Sequence, residues 1–146
     1  MIVKDQNENI VCVVQYFDEI ENERRFLTED NEEMQYASFK YKKNTEVQRH
    51  FHNLNERNIS TTAEGIVVLE GSIEIEIYDN SKNFLETIAL NEKDSILMLA
   101  GGHKIIVLED SKFIEFKQGP YDSEIDKTLF WKWLMYLSLT FSLKIS

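Results

Sequence analysis

Two histidines spaced two residues apart, His50 and His52, are the residues of this chain best placed to act together. On a β-strand that spacing puts both imidazoles on one face, with Cα atoms about 6.5–7 Å apart. Arg49 and Phe51 then point the other way. Two imidazoles on one sheet face can share a metal ion, with further ligands coming from neighbouring strands. The chain holds 3 histidines. The third, His103, follows Gly101-Gly102 in a later strand-like run, and Glu64 opens another. The expected site is therefore His50, His52, Glu64 and His103, gathered in the hollow of a small β-barrel. Three imidazoles and one carboxylate suit a divalent transition metal: Fe(II), Mn(II), Ni(II) or Zn(II). Such a metal keeps open positions for polarising a carbonyl or activating water. Ligand distances of about 2.0–2.2 Å are expected.

Other residues carry less. Glu56 competes with Glu64 as the carboxylate. Cys12 sits in an apolar run and reads as core packing. Tyr41, Arg57, Lys117 and Tyr121 have no feature that favours a ligand-facing role over a surface one. The acidic run from Asp18 to Glu33 reads most simply as a solvated loop.

The elements that must position these residues are short strands. Ile10 to Phe17 is an apolar β-type run. Met34 to Tyr41 and Glu46 to His52 are expected strands, the second carrying the histidine pair. Residues 53–62 are polar and turn-forming. Glu64 to Glu70 is a strand, and Gly71-Ser72 allows a tight bend or bulge. Ile73, Ile75 and Ile77 alternate with Glu74, Glu76 and Tyr78, which means one buried and one wet face. Asp79 to Asn83 is a hairpin loop leading to a strand at Phe84 to Leu90. Strands at Ser95 to Leu99, His103 to Leu108 and Lys112 to Lys117 complete the pattern. Roughly ten-residue spacing and no helical period before residue 125 predict an all-β fold, a single antiparallel β-barrel or jelly roll.

The chain of 146 residues has the length of one domain, placed here at residues 1–128. Its hydrophobic fraction of 42% and charged fraction of 29% are ordinary for a globular protein. The formal net charge of −10 argues against a nucleic-acid partner, which needs clustered Lys and Arg. A lone cysteine and a polar first stretch without a secretory core predict a cytoplasmic protein. Residues 129–146 form an apolar tail, helical in one reading and interrupted by Lys132 and Lys144. Eleven residues between the lysines are too few for a membrane span, which needs ~20. The tail is expected to pack on the barrel, form a dimer contact or lie partly disordered, with an interfacial anchor as the alternative.

Residues 34–118 resemble the cupin superfamily. His50-Phe51-His52, then Glu64, six residues and Gly71 follow the first cupin motif, with a spacer of eleven residues where three or four are usual. Lys93-Asp94, Leu99 and Gly101-Gly102-His103 follow the second, with Leu99 where proline is usual. The segment from Ile114 to Tyr121 is similar to small cupins of surface-polysaccharide and nucleotide-sugar synthesis. Gly119-Pro120-Tyr121-Asp122 is similar to a run in cupin-type sugar-nucleotide ketoisomerases. The resemblance implies a metal-binding homodimer that acts on a sugar or sugar nucleotide by proton abstraction beside a carbonyl, with Glu64 or His103 as base where it does not ligate metal. A Fe(II)-dependent oxygenase and a non-enzymatic ligand-binding cupin are the other two expectations, since the fold alone does not choose among them.

Overall fold

A computed structural model describes residues 1–130. The remaining residues, and with them most of the apolar tail at 129–146, lie outside the description. Ten strands follow one another: β1 (Ile2–Lys4), β2 (Ile10–Gln15), β3 (Arg24–Phe26), β4 (Ala37–Phe39), β5 (Glu64–Glu70), β6 (Ser72–Tyr78), β7 (Phe84–Asn91), β8 (Ser95–Met98), β9 (Gly102–Val107) and β10 (Lys112–Lys117). All pairings are antiparallel. The described residues are all-β, with one short 3₁₀ turn at Phe17–Glu19.

The strands form a five-stranded sheet in the order β1-β2-β8-β5-β10, a three-stranded sheet β7-β6-β9 and the pair β3-β4. None of these sheets closes on itself, which corrects the expectation of a single closed barrel. The two larger sheets instead lie face to face across one core. Val3, Val11, Cys12, Val14, Ile66, Val68, Ile96 and Met98 from the larger sheet meet Ile73, Ile75, Ile77, Ile88 and Leu90 from the smaller. Burial at Cys12 pushes its thiol up to about 12, in keeping with a packing role.

One sharp corner joins the sheets. The chain leaves β5 and enters β6 through Gly71 alone, at φ +80. A Cβ there would lie 2.6 Å from the Asp110 carbonyl oxygen. Glycine alone meets both the left-handed backbone and the close approach. The β6–β7 hairpin is built by Asp79, whose Oδ1 accepts from the Ser81 and Asn83 amides at 2.8 Å each. Asp94, buried in the β7–β8 turn, accepts from the Phe17 and Asn91 amides at 2.9 Å each.

The strand β8 reads as a continuous apolar run because both of its faces are covered. Ile96 and Met98 enter the central core. Leu97 and Leu99 face outward with Val13 and Ala63, under Leu27, Met34 and Tyr36. The acidic stretch at 18–33 is thus not simply a solvated loop. It contributes β3, and Leu27 packs on the outer face of the five-stranded sheet. The Tyr36 hydroxyl meets Ser95 Oγ at 2.6 Å.

The strand expected at Glu46 to His52 is absent, and every residue of it is exposed. Its period-two pattern puts Glu46, Gln48, His50 and His52 on one side and Val47, Arg49 and Phe51 on the other. Neither side is apolar enough to be held against a sheet.

Candidate functional site

Strand register brings Glu64 and His103 together at one end of the sandwich. Glu64 shares its face of β5 with Ile66 and Val68, two fully buried core residues. It therefore points inward from the five-stranded sheet. His103 stands opposite Ile77 in the β6–β9 pairing. Directly opposed residues share a face, so His103 points inward from the three-stranded sheet. The two side chains meet between the sheets: His103 Nε2 lies 3.2 Å from Glu64 Oε1, with side-chain exposures of 29% and 15%. They are half-covered and still reachable, as a reactive pair must be.

The bond from His103 holds the Glu64 carboxyl below the usual carboxylate range. Partial burial works against that shift, and the charges of His103, Lys117 and Lys127 reinforce it. Glu64 is thus ionised at neutral pH and accepts the Nε2–H of His103. Among the described residues no hydrogen bond engages His103 Nδ1. Lys117 lies across from Glu64 in the β5–β10 register. Its ammonium sits 3.5 Å from Asp126 Oδ2 and 4.9 Å from the centre of the Tyr121 ring. Nothing in its local sequence distinguishes Lys117; pairing the Lys112–Lys117 strand against Glu64–Glu70 places it here.

A cleft of about 260 Å³ opens where the chain enters β5 and leaves β10, lined by Ile59, Ser60, Thr61, Thr62, the 118–120 corner and Asp126. Glu33 secures one wall. Its carboxylate accepts from the Ser60 amide at 2.9 and 3.0 Å and its hydroxyl at 2.6 Å, and from the Thr61 amide at 3.1 Å and its hydroxyl at 3.0 Å. These bonds, led by the Ser60 hydroxyl, lower the Glu33 carboxyl from 4.5 to about 2. A carboxyl depressed on folding stabilises the folded form fully above its unfolded value. The clamp should therefore be intact above pH 4.5 and be lost as the pH falls toward 2. Amide exchange at Ser60 and Thr61 reads this directly. Protection in the wild type should fade over that window, and Glu33→Gln should lack it at neutral pH. Equal protection in the variant at pH 7 would refute the clamp.

The other two expected ligands sit elsewhere. His50 and His52 lie on the exposed segment after β4, with ring centres 5.2 Å apart. His50 Nδ1 is 2.8 Å from the Gln48 carbonyl oxygen. The four expected ligands thus form two pairs, His50 with His52 and Glu64 with His103. Among the described residues no three His, Cys, Asp or Glu side chains gather as a metal centre. No described helix is long and apolar enough to cross a membrane.

No protein-family model, curated protein or solved structure matches this chain.

Proposed function

We propose that the chain is a jelly-roll, cupin-like sandwich that transfers a proton beside a carbonyl of a sugar or sugar nucleotide, with His103 as base and Glu64 as its orienting partner. The observation that carries this reading is the 3.2 Å contact between Glu64 and His103, made from the inner faces of two sheets. Glu64 fixes the imidazole with its proton on Nε2, so Nδ1 receives the proton taken from carbon. The carboxylate then stabilises the imidazolium that forms. Lys117 adds positive charge near the developing enolate oxygen. Return of the proton to a neighbouring carbon or the opposite face would give isomerised or epimerised product. The sugar assignment draws on the resemblance of 34–118 to cupins and of 114–121 to those of polysaccharide synthesis.

Incubation with a panel of 4-keto sugar nucleotides in deuterated water tests the reading. Deuterium should appear beside the carbonyl, with isomerised product following. No exchange across the panel would overturn it. Ligands that stabilise the protein without being changed would instead mark a binding protein.

The metal-binding reading retains one observation, the proximity of the two imidazoles at 50 and 52. It requires their segment to reach the Glu64–His103 pair. Elemental analysis of protein purified without chelators separates the two readings. Stoichiometric Fe, Mn, Ni or Zn that disappears in His50→Ala supports the metal site and, with oxygen consumption, the Fe(II) oxygenase. Metal-free protein that still exchanges deuterium supports the pair acting alone.

A further inference from the structure

At the cleft between the start of β5 and the end of β10, one lining residue holds a hydrogen-bond donor with nothing to bond. Gln118 lines it, and the side-chain Nε2 of Gln118 is buried without an acceptor among the described residues. A side-chain flip does not relieve this. Gln118 Oε1 accepts from the Ala63 amide at 2.7 Å, and exchanging oxygen and nitrogen would set two donors against each other. The amide is therefore fixed with its NH₂ unsatisfied. Buried donors in folded proteins are almost always paired, so this one calls for an oxygen from outside the described chain.

The rest of the lining suits the same kind of ligand. Ser60 and Thr61 donate their hydroxyl hydrogens to Glu33, which leaves their oxygens as acceptors. Thr62 adds a third hydroxyl, and Asp126 presents a carboxylate. Donor, hydroxyls and carboxylate together match a ring carrying several hydroxyl groups. An anionic group would face the Asp126 charge. We infer that this cleft binds the hydroxyl-bearing ring of a neutral carbohydrate, with Gln118 Nε2 donating to one ring or hydroxyl oxygen.

The identity of the ligand rests on the proton-transfer reading. Gln118 is bonded to Ala63, the residue before Glu64. Lys117, the residue before Gln118, is paired with Asp126 at the cleft. Ala63 and Gln118 each lie one residue along the strand from Glu64 and Lys117, so alternation sets them on the other face of the sheet from the reacting pair.

The test uses the full chain with a panel of methyl glycosides of glucose, galactose and mannose and their 6-deoxy forms. These lack a ketone and cannot react, so binding is read apart from turnover. At least one should shift the Gln118 side-chain amide resonances. Gln118→Glu keeps an acceptor for the Ala63 amide and removes the donor, and should weaken that glycoside at least ~tenfold. Thr62→Val, away from the Ala63 bond, should weaken it too. His103→Gln should leave the affinity within ~twofold, because the ring is held by other groups. A panel that never moves the Gln118 amide, or Gln118→Glu that binds as well as wild type, would overturn the inference. Turnover of keto sugars without glycoside binding would remove the subsite and leave the proton-transfer reading standing.

Discussion

His103→Gln should lower proton exchange on the responsive 4-keto sugar by about 10²–10⁴-fold, the usual contribution of a positioned general base. The side chain stays polar and similar in reach, so the sandwich should keep its stability. Glu64→Gln should cost less, because the base remains while its orientation and its counter-charge are lost. In that variant the amide can turn its NH₂ toward Nε2 and favour the other tautomer, which removes the lone pair from Nδ1. The loss should fall on kcat more than on KM, since both residues act on the transition state rather than on ring binding. The direction of the Glu64 shift adds a pH signature. Its carboxyl is held down mainly by His103, so the contact adds stability above the usual carboxylate range and loses it as the pH falls through that range. In Glu64→Gln that part of the acid dependence should vanish. Wild-type exchange rates in His103→Gln would end the case for this base.

Ile75→Ala should destabilise the fold by about 2–5 kcal/mol, the range for emptying a buried aliphatic site. Ile75 is 0% exposed and stands at the middle of β6, the central strand of the smaller sheet. Its inward neighbours Ile73 and Ile77 are held by the same strand, and the facing Ile66, Val68 and Ile96 by the opposite sheet. Hydrogen-bonded backbones on both sides leave little room for the site to collapse, which favours the upper part of the range. Urea unfolding should show a lower midpoint at unchanged slope. A change below ~1 kcal/mol would mean that the two sheets do not enclose a common core at this position.

Local pattern carried far in this chain. The alternation of Ile73, Ile75 and Ile77 with glutamates declares a strand with one wet face. Asp79 to Asn83 and Gly71 declare a hairpin and a corner. The apolar run Ser95 to Leu99 declares a short strand. Each of these signals is settled within a few residues by backbone sterics and by where side chains alternate. The resulting strands β5 to β10 stand within a residue or so of where the sequence places them. Glu64 and His103 were legible as chemistry for the same reason, since each sits at the start of a strand, Glu64 after a polar turn-forming stretch and His103 behind Gly101-Gly102.

Partnership was not legible. The segment from Glu46 to His52 has the period of a strand and lacks a neighbour to hydrogen-bond, so alternation alone predicted an element that tertiary structure does not provide. The reverse holds for β1, β3 and the Leu27–Tyr36 cover. Their short, polar context conceals them, and they exist because β2 and the outer face of the larger sheet give them something to pair with or bury. The same applies to the site. Residue types along the chain determined that histidines and carboxylates were available. Only the register of β6 with β9, and the apposition of two sheets, decided that His103 meets Glu64 while His50 and His52 lie on a separate exposed segment. Side-chain periodicity is a property of a few consecutive residues, whereas contact between residues 64 and 103 depends on how whole sheets stack, and that is set by the burial of a core drawn from the entire chain.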